Sequence, residues 1–256
     1  MTDADSGRGR SRVRGAGVLA GLLAGAALAG CQGGPPPRQA TPSAPTPSAP
    51  TPSAPAARTA PAPGAQPGAG QGRVVTGFLA FGDFGNRSGQ SSVARAMRRW
   101  AATHRIDALV TTGDNVYPNG EPEHYGDALD APYAVLRRTA PLWVTLGNHD
   151  ERRGHGDTQL RHLGLPSLPY TKSLPQVQLL FLDGNRVTRA QGRWLDRELS
   201  APGPRHRVVV FHQPAYSCSR HGSTDDVVDR WVPILERHRV SLVLSGHDHN
   251  YQRFVS

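Results

Sequence analysis

Five short polar segments decide how this sequence folds, because each one follows an apolar run. In chain order they are Asp83–Phe84–Gly85, Gly113–Asp114–Asn115–Val116–Tyr117, Gly147–Asn148–His149–Asp150, Val209–Val210–Phe211–His212 and Gly246–His247–Asp248–His249. Among their side chains are two carboxylates, a phenol, an amide and three imidazoles that can be drawn together as a ligand set. Oxygen ligands of this kind suit hard cations, whereas imidazole suits Zn, Cu, Fe and Ni. The mixed set predicts two adjacent metal ions, with Fe, Zn or Mn favoured over Ca.

The apolar runs before these segments predict buried strands. They are short, rich in β-branched residues and closed by Gly or Asp, and they cover residues 74–81, 108–112, 142–146, 208–211 and 240–244. A further strand is predicted over 178–183. Helical patterns lie between several of them, at 91–104 with Val93, Met97 and Trp100, at 190–199, and at 227–238. This alternation predicts an α/β fold with a largely parallel sheet. All five polar segments then fall at the carboxyl ends of strands, where such sheets bind ligands.

The residue types also indicate a reaction. A carboxylate that bridges two metal ions allows them to lie about 3.5–4 Å apart, a geometry suited to in-line displacement at phosphorus. The set therefore predicts hydrolysis of a phosphate ester. Taken singly, each residue has an ordinary explanation: Asp83 could form a turn, Tyr117 could lie on a surface turn, and Asp150 or Asn185 could serve either a turn or the site. Together, five ordered segments favour the metal site.

The five segments, in order, resemble those of the calcineurin-like metallophosphoesterases, and within them the purple acid phosphatases. The resemblance runs from about Val74 to Ser256, and Gly85 and Tyr117 carry the purple acid pattern. It implies a two-sheet α/β sandwich whose strands continue past the last histidine pair. Because the sequence ends seven residues after His249, we expect the second sheet to lack its last strands, either because the sequence is truncated or because this is a shortened variant. As written, the domain is expected to have marginal solubility.

The resemblance also implies which residues bind metal. Asp83, Asp114, Tyr117 and His249 would hold one ion, expected to be Fe(III), and Asp114 would be shared by both. Asn148, His212 and His247 would complete the second site, for Zn, Fe(II) or Mn. Two further histidines, His149 and His221, match residues that contact the phosphate and help the alkoxide to leave, and His221 is expected to be the leading acid.

The sequence before residue 74 predicts where the protein is located in the cell and has no predicted role in the reaction. Arg8, Arg10, Arg12 and Arg14 precede an apolar stretch that is built like a secretory signal over residues 1–30. Leu28–Ala29–Gly30–Cys31 resembles a bacterial lipobox, which implies acylation of Cys31 and an anchor on the extracytoplasmic face of the membrane. Cleavage after Ala29 and release of a secreted protein is the alternative. Residues 31–73 carry three Thr-Pro-Ser-Ala-Pro repeats and are predicted to form a disordered linker.

Charge limits the partners of the domain at 74–256. Seven of the 29 basic and two of the 20 acidic residues precede residue 74, so the domain holds 22 basic and 18 acidic residues, a net charge of +4. This mild excess of positive charge suits a small anionic phosphate ester. Aromatic and basic residues do not alternate as they do in proteins that bind single-stranded nucleic acid, so we expect no nucleic acid partner. The sequence leaves open a phosphomonoesterase, a phosphodiesterase on the same centre, and a surface lipoprotein without turnover.

Overall fold

Two β-sheets with helices form the part of the chain that the computed structural model describes, residues 76–85 and 88–255. The first sheet has three parallel strands, β1 (Phe78–Phe81), β2 (Ala108–Thr111) and β3 (Leu142–Val144). The second has four, in the order β4 (Tyr170–Leu174), β5 (Val177–Phe181), β6 (His206–Val210) and β7 (Leu242–Leu244). The β4–β5 pair is antiparallel and the other two pairs are parallel. The predicted two-sheet α/β sandwich is confirmed, and the strand pairing is largely parallel, as the alternation of strands and helices predicts.

Helices cover the outer faces of both sheets. Helix α1 (Gln90–Ala101) follows β1, and α2 (Asn148–Glu151) and α3 (Gly156–His162) follow β3. Helix α4 (Arg189–Ser200) joins β5 to β6, while α5 (Asp225–Arg230) and α6 (Val232–Arg237) join β6 to β7. Short helical turns occupy Pro122–His124, Gly126–Asp130, Leu136–Arg138 and Arg152–Gly154. Among the described residues, none of the helices has the length and apolar character to cross a membrane.

The period-two alternation of the strands divides the core into three layers. In β2, Ala108 and Val110 face the second sheet, while Leu109 packs in the cluster that contains Ala94 and Met97 of α1. In β6, Val208 and Val210 face inward, whereas Val209 packs with Leu195 and Trp231 of the helices. Successive side chains of a strand point to opposite faces, so each central strand contributes to two layers.

Two predicted helices differ from the observed ones for physical reasons. The helix predicted at 91–104 forms as α1, but of the three residues quoted for its pattern only Met97 is buried. Val93 and Trp100 are 52% and 54% exposed, and Gln90 and Ala94 complete the buried face. The helix predicted at 227–238 breaks into α5 and α6 at Trp231. Pro233 lies in the first turn of α6 and cannot donate a backbone hydrogen bond into the preceding turn.

Polar contacts join the two sheets beside the core. The buried Tyr170 hydroxyl of β4 donates to the Val144 carbonyl of β3 over 2.6 Å and accepts from the Val144 N–H at 3.1 Å. The Thr145 hydroxyl donates to the Leu182 carbonyl over 2.7 Å. The signal and linker predicted over residues 1–73 lie outside the described residues.

Replacing Tyr170 by Phe tests the link between the sheets. Y170F keeps the ring, which stacks on Phe181, but leaves the N–H and C=O of Val144 without their partner. We expect a loss of about 1–3 kcal/mol in the free energy of unfolding, measured by urea denaturation. The control is Y251F, because Tyr251 is 84% exposed. Equal stability of the two variants would contradict the bridging role.

Candidate metal centre

Residues from both sheets meet at one edge of the sandwich, beyond the carboxyl ends of the strands. From the first sheet come Asp83 after β1, Asp114 and Tyr117 after β2, and Asn148 and His149 at the start of α2. From the second sheet come His212 after β6 and His247 and His249 after β7. The structure therefore brings together all seven predicted metal ligands, although they come from segments that lie far apart in the sequence.

Four of these residues have an uncommon backbone conformation. Asp83, Asp114, His247 and His249 have φ angles of 55°, 49°, 77° and 50°, in the left-handed region that residues other than Gly rarely adopt. Each such residue costs of order 1–3 kcal/mol, and conformations of this kind concentrate at functional sites. The loops after β1, β2 and β7 are thus shaped to aim side chains rather than to minimise local energy.

Asp114 lies at the middle of the cluster. Its Oδ2 atom accepts a hydrogen bond from the Tyr117 hydroxyl at 3.0 Å and lies 3.5 Å from Nε2 of His212. Its Oδ1 atom accepts from the His149 N–H at 2.9 Å. The side chain is almost fully buried. One carboxylate oxygen therefore borders two separate groups of ligand atoms.

The first group contains Asp83, Tyr117 and His249. Nε2 of His249 lies 3.0 Å from the Tyr117 hydroxyl and 3.4 Å from Oδ1 of Asp83. Both Asp83 oxygens accept from the backbone N–H of His247, at 3.0 and 3.1 Å, which fixes the carboxylate across the gap between the sheets. These are oxygen and nitrogen donors that suit Fe, Zn or Mn.

The second group surrounds Nε2 of the buried His212. Nδ1 of that ring donates to the Thr112 carbonyl over 2.8 Å, so Nε2 of the neutral ring carries a lone pair. Around Nε2 lie Oδ1 of Asn148 at 3.2 Å and Nδ1 of His247 at 3.3 Å, in addition to Asp114. Lone pairs that converge in this way repel one another unless a cation or a proton lies between them. Ligand atoms of Asp83, Asp114 and His212 all lie within 4.8 Å of one another, so this trio can hold a metal ion.

The pKa shifts reflect the same crowding of charge. Burial opposes ionisation of Asp114, but the hydrogen bond and charge of His212, with the His149 N–H, lower its pKa to about 2. Burial raises the pKa of Asp83. Burial opposes protonation of His212, yet Asp114 and Asp83 outweigh it and raise the pKa of that imidazole. Burial, together with the imidazoles of His212 and His221, lowers the pKa of His247. The carboxylates thus attract positive charge to this point.

The two predicted non-ligand histidines flank the cluster on different sides. Nδ1 of His149 donates to the Pro118 carbonyl over 2.6 Å, and Nε2 lies 4.0 Å from Oδ2 of Asp114. The His149 ring also lies 4.4 Å from the Tyr117 ring, centroid to centroid. His221 lies beside the other group, with its ring centroid 4.5 Å from that of His247.

A buried network of Asn115 and Asp150 supports the cluster, and of this pair only Asp150 has a role predicted from the sequence. Asn115 and Asp150 are fully buried. The Asp150 carboxylate accepts from the backbone N–H groups of Asn115, Val116 and Gly147 at 2.9–3.0 Å, which ties the loop of Asp114 to the loop of Asn148. Burial raises the pKa of Asp150 to about 6 in spite of the N–H donors of Gln159 and Gly147. Of the two roles open for Asp150, the structure shows the one that orients the loops.

Two further contacts connect loops that carry ligands. Asn185 donates to the Leu146 carbonyl over 3.1 Å and accepts from the Gln213 amide at 2.8 Å, so its side chain joins the segments before Asn148 and after His212. The backbone N–H of Asn185 also donates to Oδ1 of Asp183 over 3.0 Å, which closes a turn. The Ser217 hydroxyl donates a short hydrogen bond to Asp248, which joins the His221 loop to the segment with His247 and His249. The sequence signal for these residues was only their closeness to the motifs.

Comparison with known proteins places this geometry in a family. The family model described as Calcineurin-like phosphoesterase matches residues 77–251, more than half of the sequence. The chain therefore belongs to the calcineurin-like phosphoesterase family. Purple acid phosphatase 17 of Arabidopsis thaliana is 28% identical, over 73% of this chain and 65% of its own length. Tartrate-resistant acid phosphatase type 5 of Sus scrofa is 26% identical, over 76% and 67%.

A solved structure shares the fold. GAP50, the anchor in the inner membrane complex of Plasmodium, aligns with a TM-score of 0.56 and 20% identity, over 68% of this chain and 66% of its own. The chain spans slightly less than two thirds of the length of the first plant phosphatases that it matches.

Gly85, which distinguishes the purple acid pattern in the sequence, has no room for a side chain. A Cβ atom there would lie 1.9 Å from the Asn115 carbonyl oxygen and 2.6 Å from Cα of Val116. A larger residue would therefore push apart the loops that carry Asp83 and Asp114.

Replacing Gly85 by Ala tests this close approach. We expect G85A to lower the free energy of unfolding by about 1–3 kcal/mol, because the clash is with backbone and the two loops must separate. Urea denaturation in metal-free buffer measures it. G126A is the matched control, since a Cβ on Gly126 meets nothing within 4 Å. If G85A and G126A unfold alike, the loops are not packed as described.

Proposed function

We propose that this chain is a metal-dependent hydrolase of phosphate monoesters, of acid phosphatase type. The observation that carries the proposal is the position of Asp114, whose Oδ2 atom borders both Tyr117 and His212. One shared carboxylate with a group of donors on each side is the arrangement expected of a dinuclear site. The phosphatases that the chain resembles support the same reaction class.

The donor sets fit two different ions. Asp83, Asp114, Tyr117 and His249 offer three oxygens and one nitrogen, and a phenolate in this set favours Fe(III). Asp114, Asn148, His212 and His247 offer two oxygens and two nitrogens, which suit Zn, Fe(II) or Mn. The repulsion among lone pairs around Nε2 of His212 is relieved when a cation is bound there. When bound, such a pair of ions supplies a water of lowered pKa and neutralises charge on the phosphoryl oxygens.

The remaining polar residues perform tasks of their own. Nδ1–H of His149 donates to the Pro118 carbonyl, so Nε2 faces the cluster, and in the protonated ring its N–H is placed to donate to a phosphoryl oxygen. His221, held above His247 by a loop that Ser217 and Asp248 tie down, is placed to give a proton to the leaving alkoxide. The reaction converts a monoester and water into an alcohol and phosphate, with the P–O electron pair remaining on the alcohol oxygen.

Hydrolysis of paired chromogenic substrates tests the reaction class. Metal-loaded protein should hydrolyse 4-nitrophenyl phosphate faster than bis(4-nitrophenyl) phosphate, and D114N should lose at least about a hundredfold in kcat/KM because both ions lose their shared ligand. Faster cleavage of the diester would instead select a phosphodiesterase. Bound metal without any turnover would select a surface protein without catalysis.

The absorption spectrum of the same preparations tests the metal assignment. A visible band from tyrosinate and Fe(III) is expected in the wild type and should disappear in Y117F, while elemental analysis identifies the second ion. A band that survives in Y117F would remove Tyr117 from the first site.

The role of His221 predicts a dependence on the leaving group. H221A should reduce kcat by about 10²–10⁴-fold for an alkyl phosphate, which needs a proton on its leaving oxygen, and far less for 4-nitrophenyl phosphate. The control is H206A, because His206 opens β6 at the strand end opposite the cluster. Full turnover of the alkyl phosphate by H221A would exclude His221 as the acid.

We further propose that the enzyme works outside the cytoplasmic membrane, anchored by a lipid on Cys31. The support is the order of arginines, apolar stretch and Leu28–Ala29–Gly30–Cys31 in the sequence. The Pro-rich repeats that follow suit a spacer between the anchor and the folded domain. A small phosphate ester in the surroundings of the cell is then the expected substrate.

A further inference from the structure

An arginine that the metal site does not require lies at its rim. Nη1 of Arg152 donates to the Pro118 carbonyl over 3.2 Å and lies 3.0 Å from Nδ1 of His149. The Pro118 carbonyl thus holds the imidazole of His149 and the guanidinium of Arg152 together. The other ring nitrogen of His149, Nε2, lies 4.0 Å from Oδ2 of Asp114, so the His149 ring lies between Arg152 and the cluster.

This arginine has no acidic partner in the described part of the chain. Ion pairs there satisfy Arg105, Arg137, Arg230 and Arg237, whereas no carboxylate lies within 4.0 Å of Arg152. The neighbouring Glu151 points elsewhere, since its Oε1 lies 2.2 Å from where a Cβ of Gly156 would be. Among described residues, Nε and Nη2 of Arg152 have no hydrogen-bond partner.

The backbone after Arg152 adopts an uncommon conformation. Arg152 ends α2 in an extended conformation, with φ −56° and ψ 139°. The next two residues, Arg153 and Gly154, have φ angles of 56° and 76°, in the left-handed region. A left-handed arginine is uncommon, and strained turns of this kind persist where the surroundings fix them.

We propose that Arg152 is a specificity-determining residue that binds a second anionic group of the substrate, next to the phosphoryl group that is transferred. The inference rests on the proposed function and names its substrate class as phosphoanhydrides, such as inorganic pyrophosphate or a nucleoside diphosphate. The free edge of the guanidinium offers Nε and Nη2, a fork that matches two phosphate oxygens. An ester whose leaving group carries no charge offers no oxygens to this pair of N–H groups, which then stay hydrated.

The reaction is a balanced hydrolysis. Water oxygen bonds to the terminal phosphorus, the bond from that phosphorus to the bridging oxygen breaks, and its electron pair stays on the leaving phosphate. Pyrophosphate and one water give two hydrogen phosphate ions, each of which keeps one proton of the water. Arg152 contacts the leaving phosphate and neutralises the charge that develops there.

The test compares kcat/KM for pyrophosphate and ADP with that for 4-nitrophenyl phosphate. R152A should lower the two anhydride values by about tenfold to a hundredfold more than the ester value, because each loses a charge-assisted pair of hydrogen bonds. R152K should recover part of the loss, since it keeps the charge without the fork. If only the kcat/KM for pyrophosphate falls, Arg152 binds a leaving inorganic phosphate. If the values for pyrophosphate and ADP both fall, Arg152 binds the leaving phosphate of either anhydride.

The matched control is R153N, which removes the neighbouring positive charge and suits the left-handed conformation of that position. It should leave the ratio of anhydride to ester activity within about threefold of the wild type. Equal ratios in R152A and R153N would overturn the proposal. An equal loss for all substrates in R152A would also overturn it, because Arg152 would then act only through His149.

A binding measurement separates this inference from the proposed function. Calorimetry with methylenediphosphonate, which is not hydrolysed, should show tighter binding than inorganic phosphate, and R152A should lose about tenfold of that preference. If the wild type turns over no ester, the proposed function fails and the binding ratio still decides Arg152. If the wild type hydrolyses esters and R152A keeps the preference for methylenediphosphonate, the inference about Arg152 fails while the proposed function stands.

Discussion

The rest of the structure depends on a single buried carboxylate, that of Asp114. Its two oxygens contact Tyr117, His149 and His212, which come from three different loops. A buried charge of this kind is unfavourable unless it is compensated, and the surrounding donors are what lower its pKa. The left-handed turns at Asp83, Asp114, His247 and His249 follow from the same requirement, because only bent loops bring donors from both sheets to one point.

The layers of the fold explain why these loops can converge. Parallel strands end at the same edge, and the sandwich places the carboxyl ends of β2 and β6 opposite each other. Contacts such as that from Nδ1 of His212 to the Thr112 carbonyl cross between the sheets directly. The buried pair of Asn115 and Asp150 then sets the spacing between the loops within the first sheet. The geometry of the candidate metal centre is thus built on rigid elements, and the loops contribute only their first few residues.

Much of this arrangement is predictable from the sequence, since apolar runs and the polar residues that end them are local patterns. The strands at β2, β3, β6 and β7 are confirmed within two residues of their predicted ends. What was missed depends on distant partners. Strand β4 reads as polar because Thr171, Lys172 and Ser173 interrupt it, and it forms by pairing with β5. Asn115 is buried only because Thr145, Asp150 and Gln159 come to meet its amide.

The division of donors between the two sheets has a consequence for the durability of the molecule. Asp83, Asp114, Tyr117 and Asn148 belong to one sheet, and His212, His247 and His249 to the other. Any cation held among them fastens the halves of the sandwich, and its binding free energy adds to that of the folded state. A chelating medium would therefore loosen this rim first, exposing the glycine-rich loops to proteases. Survival of the protein would then follow the supply of trace elements around it.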